Sequence, residues 1–394
     1  MNIFELLGTL GEMSGIAMLF DAPLQLVMIL ISFVLLYLAL VKGFEPLLLV
    51  GIAFGMLLTN LPGGAVFHPE LWDPARYGGI SAGEVFRYGG LLDFFYFGLH
   101  IGLYPSLIFL GVGAMTDFSP MLANRKTMFF GLAAQMGIFA AFLLALRFGF
   151  NGAEGAAIGI IGSADGPTAL FLTSRLAPEL LGAVAVAAYS YMALVPLIQP
   201  PFMRLLTTKK ERAVVMPQAR TVSKQEKIVF PIAVSAFVIL LLPAVAPLVG
   251  MLMLGNLLKE CGLTDRLSDT AQNALMNIVT IFLSLSVGAT TVASSFLTRD
   301  TIIIVVLGLL AFSLSTVSGV LMGKLMYVVT GGKVNPLIGS AGVSAIPMSA
   351  RVCQMEGQRA NPKNFLLMHA MGGSVSSVVC SALVAGFFLV IFGG

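Results

Sequence analysis

The sequence predicts an all-α polytopic membrane protein with two structural repeats, expected to be inverted, whose broken or re-entrant helices meet near the bilayer midplane. Three observations predict it. Of the 394 residues, 58% are hydrophobic and only 10% charged, against about 25% charged in soluble proteins. The mean hydropathy is +0.96. And Ile-Gly-Ser-Ala occurs twice, at 161–164 and 338–341, each time inside an apolar stretch that Gly and Pro interrupt. Paired interrupted segments at matching positions of two halves point to an ion or substrate site.

Uncharged or nearly uncharged runs fall at 22–41, 46–66, 94–116, 127–146, 180–203, 228–258, 270–298, 301–323 and 364–394. A span needs about 20 residues, so nine or ten full crossings are expected, plus broken segments near 155–175 and 334–350. Residues 1–21 read as a short interfacial segment. The first apolar run is too long for a signal-peptide core, and no small-residue cleavage site follows it.

A second match fixes the repeat. Val112-Gly113-Ala114 recurs as Val287-Gly288-Ala289, an offset of 175 residues; the Ile-Gly-Ser-Ala pair has an offset of 177. The organisation expected is therefore N-terminal membrane segments over 22–91 with an extramembrane loop at 61–90, a first repeat at 92–205, a joining segment at 206–264 and a second repeat at 265–394. Trp72 reads as an interfacial anchor. The 43 glycines suit close helix packing in a membrane.

The net charge of +3 is small, but seven of the 22 basic residues lie within 204–227. The positive-inside rule makes that loop cytoplasmic; a docking surface for a soluble partner is the other reading. Cys261, Cys353 and Cys380 are scattered, and His68, His100 and His369 share no ligand spacing, so neither a disulfide framework nor a His/Cys metal site is expected. There is no phosphate-binding Gly-x-x-x-x-Gly-Lys-Ser/Thr, so ATP does not drive this chain through a P-loop. Nothing suggests nucleic-acid binding.

Asp165 stands out. An Asp at mid-membrane costs about 2.5–3.5 kcal/mol even on insertion scales. Pro167 removes a backbone donor and disfavours helix at Gly166. Carbonyls freed there, with the Ser163 and Thr168 hydroxyls, suit a small hard cation, Na+ foremost. A cap on the second half-helix is the alternative. The second copy offers Asn335, Gly339, Ser340, Ser344 and Ser349. Asn335 is equally readable as a cap on the segment that Pro336 starts. Arg351 pairs with Asp165, binds an anionic group, or marks a cytoplasmic end. Tyr189 and Tyr191 lie in the run 180–203 as proton donors or packing residues. Pro196, Pro200 and Pro201 are expected to kink or end that helix.

Gly159-Ile-Ile-Gly-Ser-Ala-Asp-Gly-Pro-Thr168, Phe44-Glu-Pro-Leu-Leu-Leu49, Phe109-Leu-Gly-Val-Gly-Ala-Met-Thr-Asp117, the run Leu181–Pro201 and Asn335-Pro-Leu-Ile-Gly-Ser-Ala-Gly-Val-Ser344 resemble the beta subunits of biotin-dependent sodium-pumping decarboxylases. The resemblance runs from about residue 20 to the C-terminus. It implies a translocase subunit that decarboxylates carboxybiotin supplied by a partner and couples this to Na+ export with proton uptake. It implies Na+ at Asp165, Asn335, Gly339 and Ser344, with Asp165, Tyr191 and Arg351 catalytic. Tyr191 and Ser344 are tied to the counter-moving proton, and Arg351 to the carboxybiotin side. Implied partners are a biotin-carrying carboxyltransferase (alpha) subunit or separate carrier, a small membrane gamma or delta subunit, and further copies of this chain. The chain itself carries no covalent biotin. The implied location is the bacterial or archaeal cytoplasmic membrane.

Two departures stand out: Ser163 replaces the family's usual second Gly, and Gly373-Ser374 replaces the usual Pro-Asn, leaving the role of position 374 in doubt. A sodium-coupled carboxylate symporter acting alone is the rival reading. A membrane scaffold is the third, disfavoured because it needs neither the buried acid nor the duplicated breaks.

Overall fold

The regular structure is helical throughout the described residues of the computed structural model, 14–72 and 82–393. Most of the expected interfacial segment and the middle of the 61–90 loop lie outside these residues. The principal helices are α1 (Pro23–Leu40), α2 (Pro46–Asn60), α3 (Leu91–His100), α4 (Leu103–Met115), α5 (Met128–Ala134), α6 (Met136–Arg147), α7 (Gly152–Gly159) and α8 (Gly166–Leu176). They continue as α9 (Leu181–Leu206), α10 (Lys224–Leu241), α11 (Met251–Glu260), α12 (Met276–Ala289), α13 (Arg299–Val329), α14 (Met348–Ala360) and α15 (Leu367–Phe392).

Among the described residues, six helices are long and apolar enough to span a bilayer, or seven if α3 and α4, bent by 66° at Gly102, make one span. That is fewer than the nine or ten crossings expected. The run 46–66 yields α2, only 15 residues long, about 22 Å at 1.5 Å per residue against a core of about 30 Å. The run 228–258 splits between α10 and α11 at Leu242-Pro243. An apolar run does not reveal where its helix breaks. Conversely, α9 runs on through Pro196, Pro200 and Pro201, which membrane helices tolerate when neighbours re-satisfy the freed backbone groups.

Close backbone contacts define the packing. A Cβ at Gly113 of α4 would lie 1.9 Å from the Leu252 carbonyl oxygen of α11, and one at Gly255 of α11 2.0 Å from that of Leu110. Likewise α12 meets α2: Gly288 against the Ile52 carbonyl and Gly55 against that of Leu285. Only glycine permits such approach. Asn60 seals the second pair by donating to the Thr291 carbonyl, and Asn256 seals the first by donating to that of Thr116.

Asp93, fully buried, ties the 61–90 loop to α3. It accepts from the His68 and Gly90 backbone N–H groups and from the Trp72 indole, and pairs with the His68 ring. Trp72 is thus a hydrogen-bonded loop anchor, with its ring edge-on to Tyr96.

Where α9 and α14 converge, Arg204 makes a two-pronged pair with the buried Glu356 at 2.7 and 2.8 Å, and Arg359 joins it. The Arg204 hydrogen bond holds the Glu356 carboxyl below its usual 4.5. A depressed carboxylate stabilises the fold above its unfolded value and loses that contribution as pH falls through the folded one. Glu356→Gln is expected to cost about 2 kcal/mol, read as a lower Tm at pH 7 in detergent, with the difference from wild type shrinking below pH 4.5.

Candidate functional site

The first broken segment is shaped residue by residue. Asn151 and Glu154 close a capping box that starts α7. The chain tightens to a 3-10 turn over Ile160–Ser163, turns left-handed at Ala164 (φ 54°), and is extended at Asp165. Asp165 caps α8: its Oδ1 accepts from the Thr168 N–H at 3.2 Å, and Pro167 occupies the first turn, where its missing N–H is harmless. The Ser163 hydroxyl donates to the Ile160 carbonyl and accepts from the Asp165 N–H.

Asp165 is only 8% exposed. Its Oδ2 accepts from the Ser381 hydroxyl at 2.7 Å. No Lys, Arg or His among the described residues pairs with it. Around it the Thr168 and Tyr189 hydroxyls are buried without partners. The Tyr189 ring rests on Gly166, where a Cβ would sit 2.4 Å from it. Asp93, by contrast, meets a histidine and several N–H donors.

The second broken segment crosses the first. It runs as a 3-10 stretch from Pro336 to Gly342, is extended at Val343, and resumes as α14. The Ser344 N–H donates to the Ser163 carbonyl at 2.9 Å, two residues from Asp165. The Ser344 hydroxyl donates to Ser377, which also accepts from the Gln135 amide at 3.0 Å. Asp165 and Ser344 are thus brought to one crossing.

The serines of α15 form the third wall, and sequence reasoning missed most of it. Ser374, Ser377 and Ser381 share one helix face at i, i+3 and i+7. Ser374 donates to the Ala341 carbonyl at 2.6 Å and bonds Ser349; Ser377 meets Ser344; Ser381 meets Asp165. Position 374, in doubt from sequence, clamps the second break. Their spacing on one face of an apolar helix is visible in the sequence, but it does not say that they reach across to the two breaks. Ser381→Ala removes one of two hydrogen bonds to the Asp165 carboxyl, worth about 1.5–3 kcal/mol when that group is charged. With Na+ at Asp165, as the family resemblance implies, half-saturation by Na+ is expected to rise about ten-fold; an unchanged Na+ dependence would remove Ser381 from that role.

The other implied residues lie further off. Asn335, fully buried, caps Leu337 through its oxygen, and its amide donates to the Arg212 and Val214 carbonyls, both at 2.8 Å. Its side chain thus staples the connector after α9. Gly339 packs against Gly319 of α13: a Cβ there would lie 2.0 Å from the Gly319 carbonyl oxygen. Tyr191 donates to the Val305 carbonyl of α13, and its ring covers Gly308, which also touches Ile161 of the first break. Arg351 is exposed, and no ion pair joins it to Asp165, which removes one of its three readings.

These features define a polytopic membrane protein with a buried carboxylate, paired with no basic side chain among the described residues, where two broken segments cross. Residues 24–392 match the family described as the Na+-transporting oxaloacetate decarboxylase beta subunit. The chain is 57% identical over 368 residues to the glutaconyl-CoA decarboxylase subunit beta of Acidaminococcus fermentans, covering 93% of each. It is 54% identical over 375 residues to the methylmalonyl-CoA decarboxylase subunit beta of Propionigenium modestum, 94% of this chain and 95% of that one. It is 52% identical to the oxaloacetate decarboxylase beta chain of Klebsiella pneumoniae, with 93% and 94% coverage. The chain belongs to the beta subunits of the Na+-transporting decarboxylases.

Proposed function

We propose that this subunit decarboxylates carboxybiotin presented by a partner and couples the reaction to Na+ export with uptake of a proton. One observation carries the reading: Asp165 is buried, hydrogen-bonded to the Thr168 N–H and the Ser381 hydroxyl, and pairs with no basic side chain among the described residues. An uncompensated carboxylate in a low dielectric is costly. It is relieved by a cation or by a proton, so one group holds Na+ and H+ in alternation.

The chemistry supplies the proton demand. Breaking the N–CO2 bond of carboxybiotin releases CO2 and leaves the electron pair on the ureido nitrogen, which takes up one proton. Moving Na+ out against about 150 mV costs about 3.5 kcal/mol, within reach of such a decarboxylation. In this reading Asp165, Ser381 and Ser344 face the ion. Tyr191 adjoins the first break and sits on the proton's side, with Arg351 toward the carboxybiotin. Asn335 and Gly339, which the family resemblance ties to Na+, act here by holding the second break in position.

The matched glycine contacts support two repeats wider than the sequence offset alone indicates. Leu110 and Gly113 correspond to Leu285 and Gly288 at an offset of 175, and their partners lie on α11 and α2 respectively. The repeats then take in α2 and α11 as well.

The partners proposed are a biotin-carrying carboxyltransferase or separate carrier, a small membrane subunit and further copies of this chain, in the cytoplasmic membrane of a bacterium or archaeon with 204–227 facing the cytoplasm. The chain co-reconstituted with a carboxylated biotin carrier is expected to accumulate Na+ inside inverted vesicles as CO2 is released. Carboxylate uptake by the chain alone, with no carrier present, would instead make it a symporter.

A further inference from the structure

Tyr189 is the largest side chain buried outright among the described residues, at 1% exposed, and its hydroxyl has no hydrogen-bond partner. A buried hydroxyl left unpaired is disfavoured, so packing alone does not account for it. A Cβ at Gly166 would lie 2.5 Å from that oxygen, which places the hydroxyl against the residue that follows Asp165. Tyr191, two residues on, differs: its hydroxyl is committed to the Val305 carbonyl.

A second carboxyl group acts on the same hydroxyl. Glu45 opens α2, and α2 packs against α9. Leu48 of the first turn of α2 packs onto the apolar cluster that holds Tyr189, and Val186 of α9 packs onto the cluster that holds Leu49. The start of α2 therefore lies beside the Tyr189 stretch of α9, and the charges of both Glu45 and Asp165 reach the Tyr189 hydroxyl. Glu45 is held in the left-handed region (φ 39°), which residues with a Cβ disfavour. It stands at the cap position of α2 yet caps nothing. Its carboxyl group makes no hydrogen bond and no ion pair among the described residues. Lys42, the basic residue nearest in sequence, lies over the Tyr37 ring instead. Unlike Asp165 and Tyr189, Glu45 is partly exposed.

A phenol both donates and accepts a hydrogen bond, so a hydroxyl shared by two carboxyl groups passes a proton without ionising. We infer that Glu45 and Tyr189 form the proton's route to Asp165. Glu45 takes a proton from water at the turn between α1 and α2. The Tyr189 oxygen accepts that proton as its own O–H proton leaves for Asp165. The phenol is restored, and the net change is one proton moved from the Glu45 carboxyl to the Asp165 carboxylate, which then releases Na+. Neither carboxyl group hydrogen-bonds the hydroxyl directly, so each transfer crosses a bridging water. The inference rests on the alternation of Na+ and H+ at Asp165 proposed above. It gives that proton a path that Tyr191, with its hydroxyl committed, does not supply alone.

Tyr189→Phe removes only the hydroxyl. If that hydroxyl were merely structural, its loss would cost nothing, because it satisfies no partner. In sealed vesicles supplied with the carboxylated biotin carrier, Y189F is expected to lower kcat for Na+-linked decarboxylation at least about ten-fold. Its Tm, and the rise in Tm that Na+ gives, should stay as in wild type. Glu45→Gln is expected to lower kcat by a similar factor. Both groups act in one series, so the double variant should fall no further than the slower single one. In each variant kcat should also become more sensitive to replacing H2O by D2O. Wild-type kcat in Y189F or in E45Q overturns the route, as does a multiplicative loss in the double variant or a lowered Tm in Y189F. If that happens while wild type still shows Na+-linked decarboxylation, only this route fails; if wild type lacks that activity, the function proposal itself falls.

Discussion

Asp165→Asn is expected to abolish Na+-dependent decarboxylation and Na+ transport together while leaving the fold intact. Asn keeps the shape of Asp. Its oxygen still accepts from the Thr168 N–H, and its amide donates to the Ser381 oxygen once that hydroxyl turns toward the Val378 carbonyl it already reaches. What disappears is one negative charge. For a cation about 4 Å away at an effective dielectric near 20, that charge is worth about 4 kcal/mol, close to a thousand-fold in affinity. Thermal unfolding separates this from misfolding. Removing an uncompensated buried charge does not lower stability in Na+-free buffer, so the Tm of the variant should equal or exceed that of wild type there. The rise in Tm that Na+ gives the wild type by binding only the folded state should vanish. Normal turnover by the variant in sealed vesicles would sink the assignment of Na+ to Asp165.

Asp165 was legible because sequence composition and chemistry point the same way: a lone acid in an apolar run, followed by Gly-Pro, has few uses besides an ion site or a cap. The structure shows the cap: one carboxylate oxygen caps α8 while the other turns to Ser381. Ser377 and Ser381 were not legible. A serine in an apolar helix commonly bonds back to its own carbonyls, as Ser381 does to Val378, so nothing local distinguishes one that also reaches across. Asn335 shows the same limit from the other side. Its capping of Leu337 follows from the Asn-Pro pair, but its hold on residues 212 and 214 joins positions 121 and 123 residues apart, which no local pattern encodes. The helices were placed by hydropathy and their breaks were not, because Leu242-Pro243 interrupts a helix while Pro196 and Pro200 do not. A proline in an apolar run is thus compatible with either outcome.

Gly339→Ala is expected to be as damaging as the loss of a polar group, for a steric reason. The added methyl would lie 2.0 Å from the Gly319 carbonyl oxygen, 2.7 Å from its carbon and 3.2 Å from the Gly323 nitrogen. All three are backbone atoms of the same long helix, α13, so no rotamer change relieves the clash, and the two elements must separate. Overpacking of this kind costs about 3 kcal/mol. Separation also shifts the second break away from the first, whose link is the Ser344 N–H to the Ser163 carbonyl. Na+ affinity and Tm should therefore fall together. The contact is reciprocal: a Cβ on Gly319 would lie 2.2 Å from the Gly339 carbonyl oxygen, although Gly319 belongs to neither repeated motif. Gly319→Ala is accordingly expected to match Gly339→Ala in both Tm and Na+ half-saturation, measured on the purified chain and in vesicles. If Gly339→Ala cripples Na+ binding while Gly319→Ala leaves it untouched, Gly339 contributes its carbonyl to the ion and not its missing side chain to the packing.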